Sequence, residues 1–267
     1  MAFRCITDIR MNVRKSGWFC LLLGSGVLLW QLARAKNDQD LGSGIRFVEK
    51  VQIGPRCLTA KLVSFDEARA QVRVVMNESR KGAKNLAEWG KESGALAVCN
   101  GGYFEVPNLL PAGLEISNGV RRGALVTQPG AGGALVVMNG KPALIWDEEF
   151  RDDPSIQHLI QCSPWLVKDG KSWPMPSPGT REQKNARTFI ATDAEGRWVI
   201  GTIKGVGLAA LAQLLVTPGM ITEFPVKRAL NLDGGPSTGL WFRTSGGAEN
   251  FEKPGWFVRN GIAIVPK

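Results

Sequence analysis

Apolar residues fall along this chain in one long run and then many short ones. The long run is Gly17 to Ala33, which contains no charged residue. After it, Val72-Arg73-Val74-Val75-Met76 has the period of a half-buried strand. Leu96–Cys99 and the segments 112–117, 134–138, 143–146, 165–168, 187–193 and 198–203 are also strand-length. Two segments carry helical spacing. Asn85 to Ser93 puts Leu86 and Trp89 on one face and is stopped by Gly94. Leu208 to Leu215 follows Gly207 and is ended by Pro218-Gly219. Many short strands and few helices predict an α+β fold, a strand-rich mixed sheet rather than a doubly wound one. The polar, glycine-containing stretch 36–44 reads as a linker. Residues 45–267 read as a single domain, long enough to bury a core without metal or disulfide support.

The long apolar run changes meaning with its flanks. Arg4, Arg10, Arg14 and Lys15 precede it, and Ala33-Arg34-Ala35 closes it with small residues at the two cleavage-site positions. That order is the order of a secretory signal peptide over residues 1–35, with an uncleaved anchor through residues 17–33 as the competitor. Either way the remainder is expected outside the cytoplasm, periplasmic or extracellular, with Lys36 as the mature terminus if cleavage occurs. Membrane contact is expected only through residues 17–33, and only if they are retained.

Charge then has to be read without the leader. The whole chain carries +9, and five basic residues against Asp8 give the first 35 residues +4 of it, leaving +5. This mild excess suits an anionic substrate or envelope surface. Neither a nucleic-acid motif nor a zinc spacing nor a phosphate-loop GKS/T is present, so no nucleic-acid partner, metal or cofactor is expected. Of five cysteines, Cys57, Cys99 and Cys162 follow the leader, an odd number for an oxidising compartment.

The candidate chemistry sits at Ala229-Leu230-Asn231-Leu232-Asp233-Gly234-Gly235-Pro236-Ser237-Thr238-Gly239. A strand-like run delivers one carboxylate to a glycine-rich turn, and a second apolar run, Leu240–Phe242, follows. Gly235 to Gly239 also fits the G-x-S-x-G elbow of hydrolases. That elbow needs a helix after it and a later histidine, whereas the only histidine, His158, lies upstream. With so little histidine, acid–base work falls to carboxylates. A second strand end looks alike: Val98-Cys99-Asn100-Gly101-Gly102-Tyr103-Phe104.

These two segments, with three others in order, resemble the phosphodiester glycosidase family. The others are Pro111 to Gly119, Gln161-Cys162-Ser163-Pro164-Trp165-Leu166-Val167-Lys168-Asp169-Gly170, and Asn185-Ala186-Arg187-Thr188 leading to Asp193-Ala194-Glu195-Gly196-Arg197. Lys253-Pro254 and Val258-Arg259-Asn260-Gly261-Ile262-Ala263 close the series. The chain departs from the family pattern at Pro236, Ser163 and Cys162, where small residues or glycine are usual.

The resemblance implies hydrolysis of a sugar joined through its anomeric carbon to a phosphodiester, with a phosphorylated carbohydrate as substrate. Asp233 is then the key carboxylate, Arg187 the phosphate ligand and Glu115 a second carboxylate, if it is not simply exposed on its strand. Asn100, with the N–H groups of Gly101 and Gly102, completes a sugar or anion pocket together with Gly234, Gly235, Ser237 and Thr238. Asp193 belongs to a structural hairpin turn. Cys99 and Cys162, both near the implied pocket, are expected to pair. Two alternatives stand beside this reading: a non-catalytic carbohydrate-binding envelope protein on the same fold, and a Ser237-dependent hydrolase.

Overall fold

Every strand pairing in the computed structural model is antiparallel. It describes residues 34–53, 57–127, 132–174 and 183–267. Residues 1–33 of the expected leader, with its apolar run 17–33, lie outside the described residues, while its last two, Arg34 and Ala35, begin the first strand. The widest sheet has eight strands in the order β1 (Arg34–Gly42), β2 (Ile45–Ile53), β3 (Leu58–Asp66), β16 (Arg197–Val206), β15 (Asn185–Thr192), β17 (Arg228–Asn231), β13 (Trp165–Lys168) and β14 (Lys171–Ser172). A five-stranded sheet runs β11 (Lys141–Trp146), β10 (Gly133–Met138), β12 (Ile156–Cys162), β8 (Glu115–Ser117) and β9 (Val120–Arg122). A second runs β19 (Glu249–Glu252), β18 (Leu240–Arg243), β5 (Ala97–Asn100), β20 (Asn260–Pro266) and β4 (Ala70–Met76). A small ribbon pairs β6 (Phe104–Glu105) with β7 (Leu110–Pro111).

Alternation along the strands builds two layers of core at once. Val63, Phe65, Ile190 and Ile200 of the wide sheet meet Val72, Val74, Cys99, Ile262 and Leu135 of the two narrower sheets. Their sequence neighbours Leu62, Phe189, Ala191 and Val199 point the other way. Helix α2 (Leu208–Val216) covers that second face with Leu208, Leu211 and Leu215. Helix α1 (Leu86–Ser93) covers the outer face of the β5 sheet. Its start is set by Asn85, whose side chain accepts from Ala87 N and Glu88 N while Glu88 reaches back to Asn85 N. Gly94, at φ 69°, ends it. Gly90 is required there because a Cβ would run into the Trp241 ring.

The strand-rich α+β class therefore stands, with both expected helices in place. Residues 36–44 are a correction: they form most of β1 and its turn into β2, not a linker. Their polarity misled because β1 is an edge strand, held by backbone pairing and by Arg46 bridging to Asp38, with no apolar face of its own beyond Leu41. Ser43 (φ 54°) and Gly44 (φ 74°) turn the chain back. Strands β2, β3, β12 and β20 were also absent from the sequence reading. In β12 the polar Gln157, His158 and Gln161 interrupt the apolar pattern.

Candidate active site

The ladder between β15 and β17 carries Asp233 to Arg187. Phe189 pairs with Asn231, and Leu232 N donates to Thr188 O at 2.9 Å, so the next residue on falls opposite Arg187. Gly234 then passes so close that a Cβ on it would lie 2.8 Å from Ala186 O. Gly235, at φ 57°, opens a three-residue 3-10 turn to Ser237, and β18 follows. The elbow motif is thus strand, short turn, strand, as the aromatic run Leu240–Phe242 indicated. Ser237 is fully buried. It accepts from Trp256 Nε1 at 2.7 Å and hydrogen-bonds the Asp233 carboxylate. His158 sits in β12, its Nδ1 accepting from Asn118 N, and burial lowers its pKa to about 4. It packs, and does not serve Ser237.

The backbone at Asp233 is clamped from below. Asn100 Nδ2 donates to Asp233 O at 2.6 Å, and Asp233 N donates to Gly101 O at 2.9 Å. Asn100 Oδ1 accepts from Thr188 Oγ1 at 2.7 Å and from Gly239 N at 3.0 Å. Every polar atom of this buried side chain is spent on tying three segments together, so Asn100 positions the site and does not face a ligand. The expected Gly101–Gly102 anion pocket needs the same correction. Gly101 N donates to Asn260 O at 3.0 Å and Gly102 N to Asn260 Oδ1 at 2.6 Å. These glycines are needed for closeness: a Cβ on Gly101 would collide with Asn260 Oδ1.

The open side of Asp233 has a different lining. Its carboxylate is partly exposed, accepts from Gly234 N at 2.8 Å, and has its pKa raised by burial against those two hydrogen bonds. Arg187 is half-buried, with Nη2 on Gln183 O at 2.7 Å and Nε on Val206 O at 3.4 Å. Burial lowers its pKa from 12.5, and the guanidinium stays charged. Tyr103 lies in the field of both groups. Burial first, then the charges of Cys162 and Asp233, push its ionisation up, while Arg187 pulls it down. Its hydroxyl donates to Ser163 O at 2.8 Å and accepts from Asn231 Nδ2 at 2.7 Å. Asn231 Oδ1 is buried without a hydrogen-bond partner. A cavity of about 190 Å³ opens beside this cluster, lined by Tyr103, Gly113, Gln161, Cys162 and Ser163. A larger one of about 310 Å³ lies against β2, β3 and β16 and includes none of these residues.

Glu115 is neither exposed nor in the cleft. It is 2 % exposed and pairs with the equally buried Arg259 at 2.7 Å, whose Nη1 also donates to Asn77 O and Leu109 O. Burial raises its pKa and Arg259 opposes the shift. Thr238 is buried with its hydroxyl unpaired. Asp193 caps its hairpin turn as expected, accepting from Glu195 N and Arg197 N. Cys99 and Cys162 are buried thiols near enough for one to influence the other, and no disulfide joins them. The sequence reading missed Tyr103, Asn231, Asn260 and Trp256. Tyr103, Asn231 and Asn260 stood inside motifs that the sequence offered but were assigned no role, and Trp256 had no signal.

The phosphodiester glycosidase family profile matches residues 93–265. Among solved structures, the zebrafish N-acetylglucosamine-1-phosphodiester alpha-N-acetylglucosaminidase catalytic domain, auto-inhibited by its pro-peptide, superposes with TM-score 0.60 at 16% identity. That match covers 88% of this chain and 89% of the zebrafish one. A hypothetical protein from Synechocystis gives 0.59 at 16% identity over 88% of this chain, which spans only 64% of that protein. A protein described as exported, from Burkholderia pseudomallei K96243, gives 0.51 at 12% identity, covering 79% of this chain and 74% of its own. No curated protein matches the sequence significantly. At these identities the structural likeness speaks for the fold.

Proposed function

The chain belongs to the phosphodiester glycosidase family, and we propose that it is an exported hydrolase that frees a sugar from a sugar phosphodiester. The carrying observation is that strand register puts one carboxylate-bearing residue, Asp233, opposite one guanidinium-bearing residue, Arg187, at adjacent strand ends, with both charges acting on Tyr103. In the reaction the bond between the anomeric carbon and the phosphate oxygen breaks, and water supplies the new hydroxyl. Phosphate leaves as an anion and needs little protonation, so a second, acidic carboxyl is dispensable, in keeping with Glu115 being committed to Arg259. Asp233 takes the proton from water and faces the oxocarbenium charge. Its burial-raised pKa suits a base. Arg187 meets the departing phosphate with a fork of donors, which strengthens as charge builds there.

The test is incubation with UDP-N-acetylglucosamine in ¹⁸O-labelled water. The expected result is free sugar labelled at its anomeric hydroxyl and unlabelled phosphate. Label in the phosphate means attack at phosphorus and refutes the scheme; absence of turnover on a panel of sugar phosphodiesters favours the carbohydrate-binding alternative. Export is tested separately by intact mass: a product beginning at Lys36 supports cleavage of residues 1–35, and one retaining them supports an anchor.

A further inference from the structure

We propose that the cavity of about 310 Å³ against β2, β3 and β16 is a second binding site, and that it takes an apolar monocarboxylate such as a medium-chain fatty acid. This goes beyond the hydrolase reading and does not depend on it. Strand alternation and register point Arg46, Val48 and Lys50 of β2 to the same face as Leu62 and Ser64 of β3 and Val199 of β16. The segment from Ile221 to Phe224 forms the opposite wall. Lys50 is the anomaly in this lining. It is 7% exposed, and its Nζ makes one hydrogen bond, to Gly219 O at 3.2 Å, out of the three an ammonium can donate. It has no ion pair among the described residues. Burial lowers its pKa; Glu223 opposes that shift, but this exposed acid bridges to Arg46 instead, at 3.3 Å.

The other polar side chains of the wall are already engaged. Arg46 bridges to Asp38 and Glu223, and Arg197 to Asp193. Ser64 Oγ donates to Arg46 O, Thr222 Oγ1 donates to Phe224 O at 2.6 Å, and Asp66 accepts from Ala68 N. The rest of the lining is apolar, with Val48, Leu62, Val199, Ile221 and Phe224 all buried. Burying an ammonium without a counter-charge is costly, and a methionine would fill the position without that cost. A carboxylate supplies the missing charge and accepts the unused donors, while a hydrocarbon tail gains by leaving water for the apolar wall. One negative charge matches one unpaired ammonium. A phosphate monoester would bring nearly twice that charge past Asp66 and Glu223, and fits worse.

The test is calorimetric titration of the full chain with octanoate, with acetate, which lacks the tail, and with 1-octanol, which lacks the charge. Octanoate is expected to bind, with acetate and octanol each at least about tenfold weaker. Lys50→Met keeps the apolar stem and removes the charge. It is expected to weaken octanoate about tenfold, to leave octanol within about twofold, and to keep or raise the urea midpoint. Glu223→Gln removes an exposed acid from the lining and is expected to tighten octanoate about twofold. Asp233→Asn is expected to bind octanoate as the wild type does, which separates this cavity from the proposed catalytic site. The proposal is overturned if the wild type does not bind octanoate, or binds acetate or octanol as well. It is also overturned if Lys50→Met binds octanoate like the wild type, if Glu223→Gln fails to tighten it, or if Asp233→Asn abolishes it. Should Lys50→Met fail to fold, the ligand preference and the Glu223→Gln shift decide the matter by themselves.

Discussion

Glu115→Gln tests whether the buried carboxylate serves the fold or the chemistry. The substitution keeps the shape and removes the charge facing Arg259 Nε at 2.7 Å, both side chains being 2–3 % exposed. Breaking a buried pair from one side leaves a charge without compensation, at a cost of about 3–5 kcal/mol. Arg259 Nη1 still has Asn77 O and Leu109 O, so the lower end of that range is expected. Replacing both partners together, Glu115→Met with Arg259→Met, removes the stranded charge and is expected to recover at least half of the loss. Urea unfolding measures both, with the midpoint shifted at constant slope. Turnover per folded molecule should stay within about threefold of wild type, since no atom of Glu115 reaches the cleft. A Glu115→Gln variant with wild-type stability and turnover reduced a hundredfold or more would return Glu115 to the proposed mechanism and refute the reasoning.

Asp233→Asn is expected to lower kcat strongly while raising Tm at pH 7. Burial puts the folded pKa of Asp233 above the ordinary aspartate value of 3.8. The folded state therefore holds that proton more tightly, and the ionised group destabilises the fold increasingly as pH rises through the window above 3.8; the Tm gain should vanish near pH 3. Arg187→Ala should raise KM as well as lower kcat, and Arg187→Lys should restore only part, because a point charge cannot reproduce the fork; steady-state kinetics decide it. Gly90→Ala is expected to destabilise despite its better helix propensity, worth about 1 kcal/mol, because overpacking against Trp241 costs about 1–3 kcal/mol; an unchanged or raised urea midpoint contradicts the packing. Maleimide labelling read by mass spectrometry should modify exposed Cys57 and spare Cys99, whose pKa burial pushes up to about 12, along with Cys162; rapid labelling of either buried thiol in the folded protein would contradict their burial.

Local signals in the sequence were enough for some of this and not for the rest. The two helices announce themselves through Asn85 and Gly94, and through Gly207 and Pro218, because caps and breakers act on their own neighbours. The paired strand ends at Asn100 and Asp233 were legible for the same reason: a glycine pair after an apolar run has few other uses. What those residues do was not legible. The N–H of Gly102 is taken by Asn260, 158 residues later, and Glu115 is neutralised by Arg259, 144 residues away. No pattern within a strand's length carries such a partner. Trp256 escaped because a lone exposed aromatic has no period, and β1 because an edge strand lives on its backbone.

Strand β20 has a consequence for how the chain must be made. It lies between β5 and β4, at the interior of its sheet, and Asn260 at its head holds both Gly101 and Gly102. While a ribosome is still short of Asn260–Pro266, β4 and β5 have no strand between them, and the turn bearing Asp233 has lost the clamp beneath Gly101. Residues made early must wait for residues made much later, and pairings of such separation form slowly. Two open apolar strand edges are exposed for that whole interval, an invitation to aggregation. A premature stop before Asn260 would therefore leave no shortened but folded protein behind, only a chain that chaperones and proteases must clear.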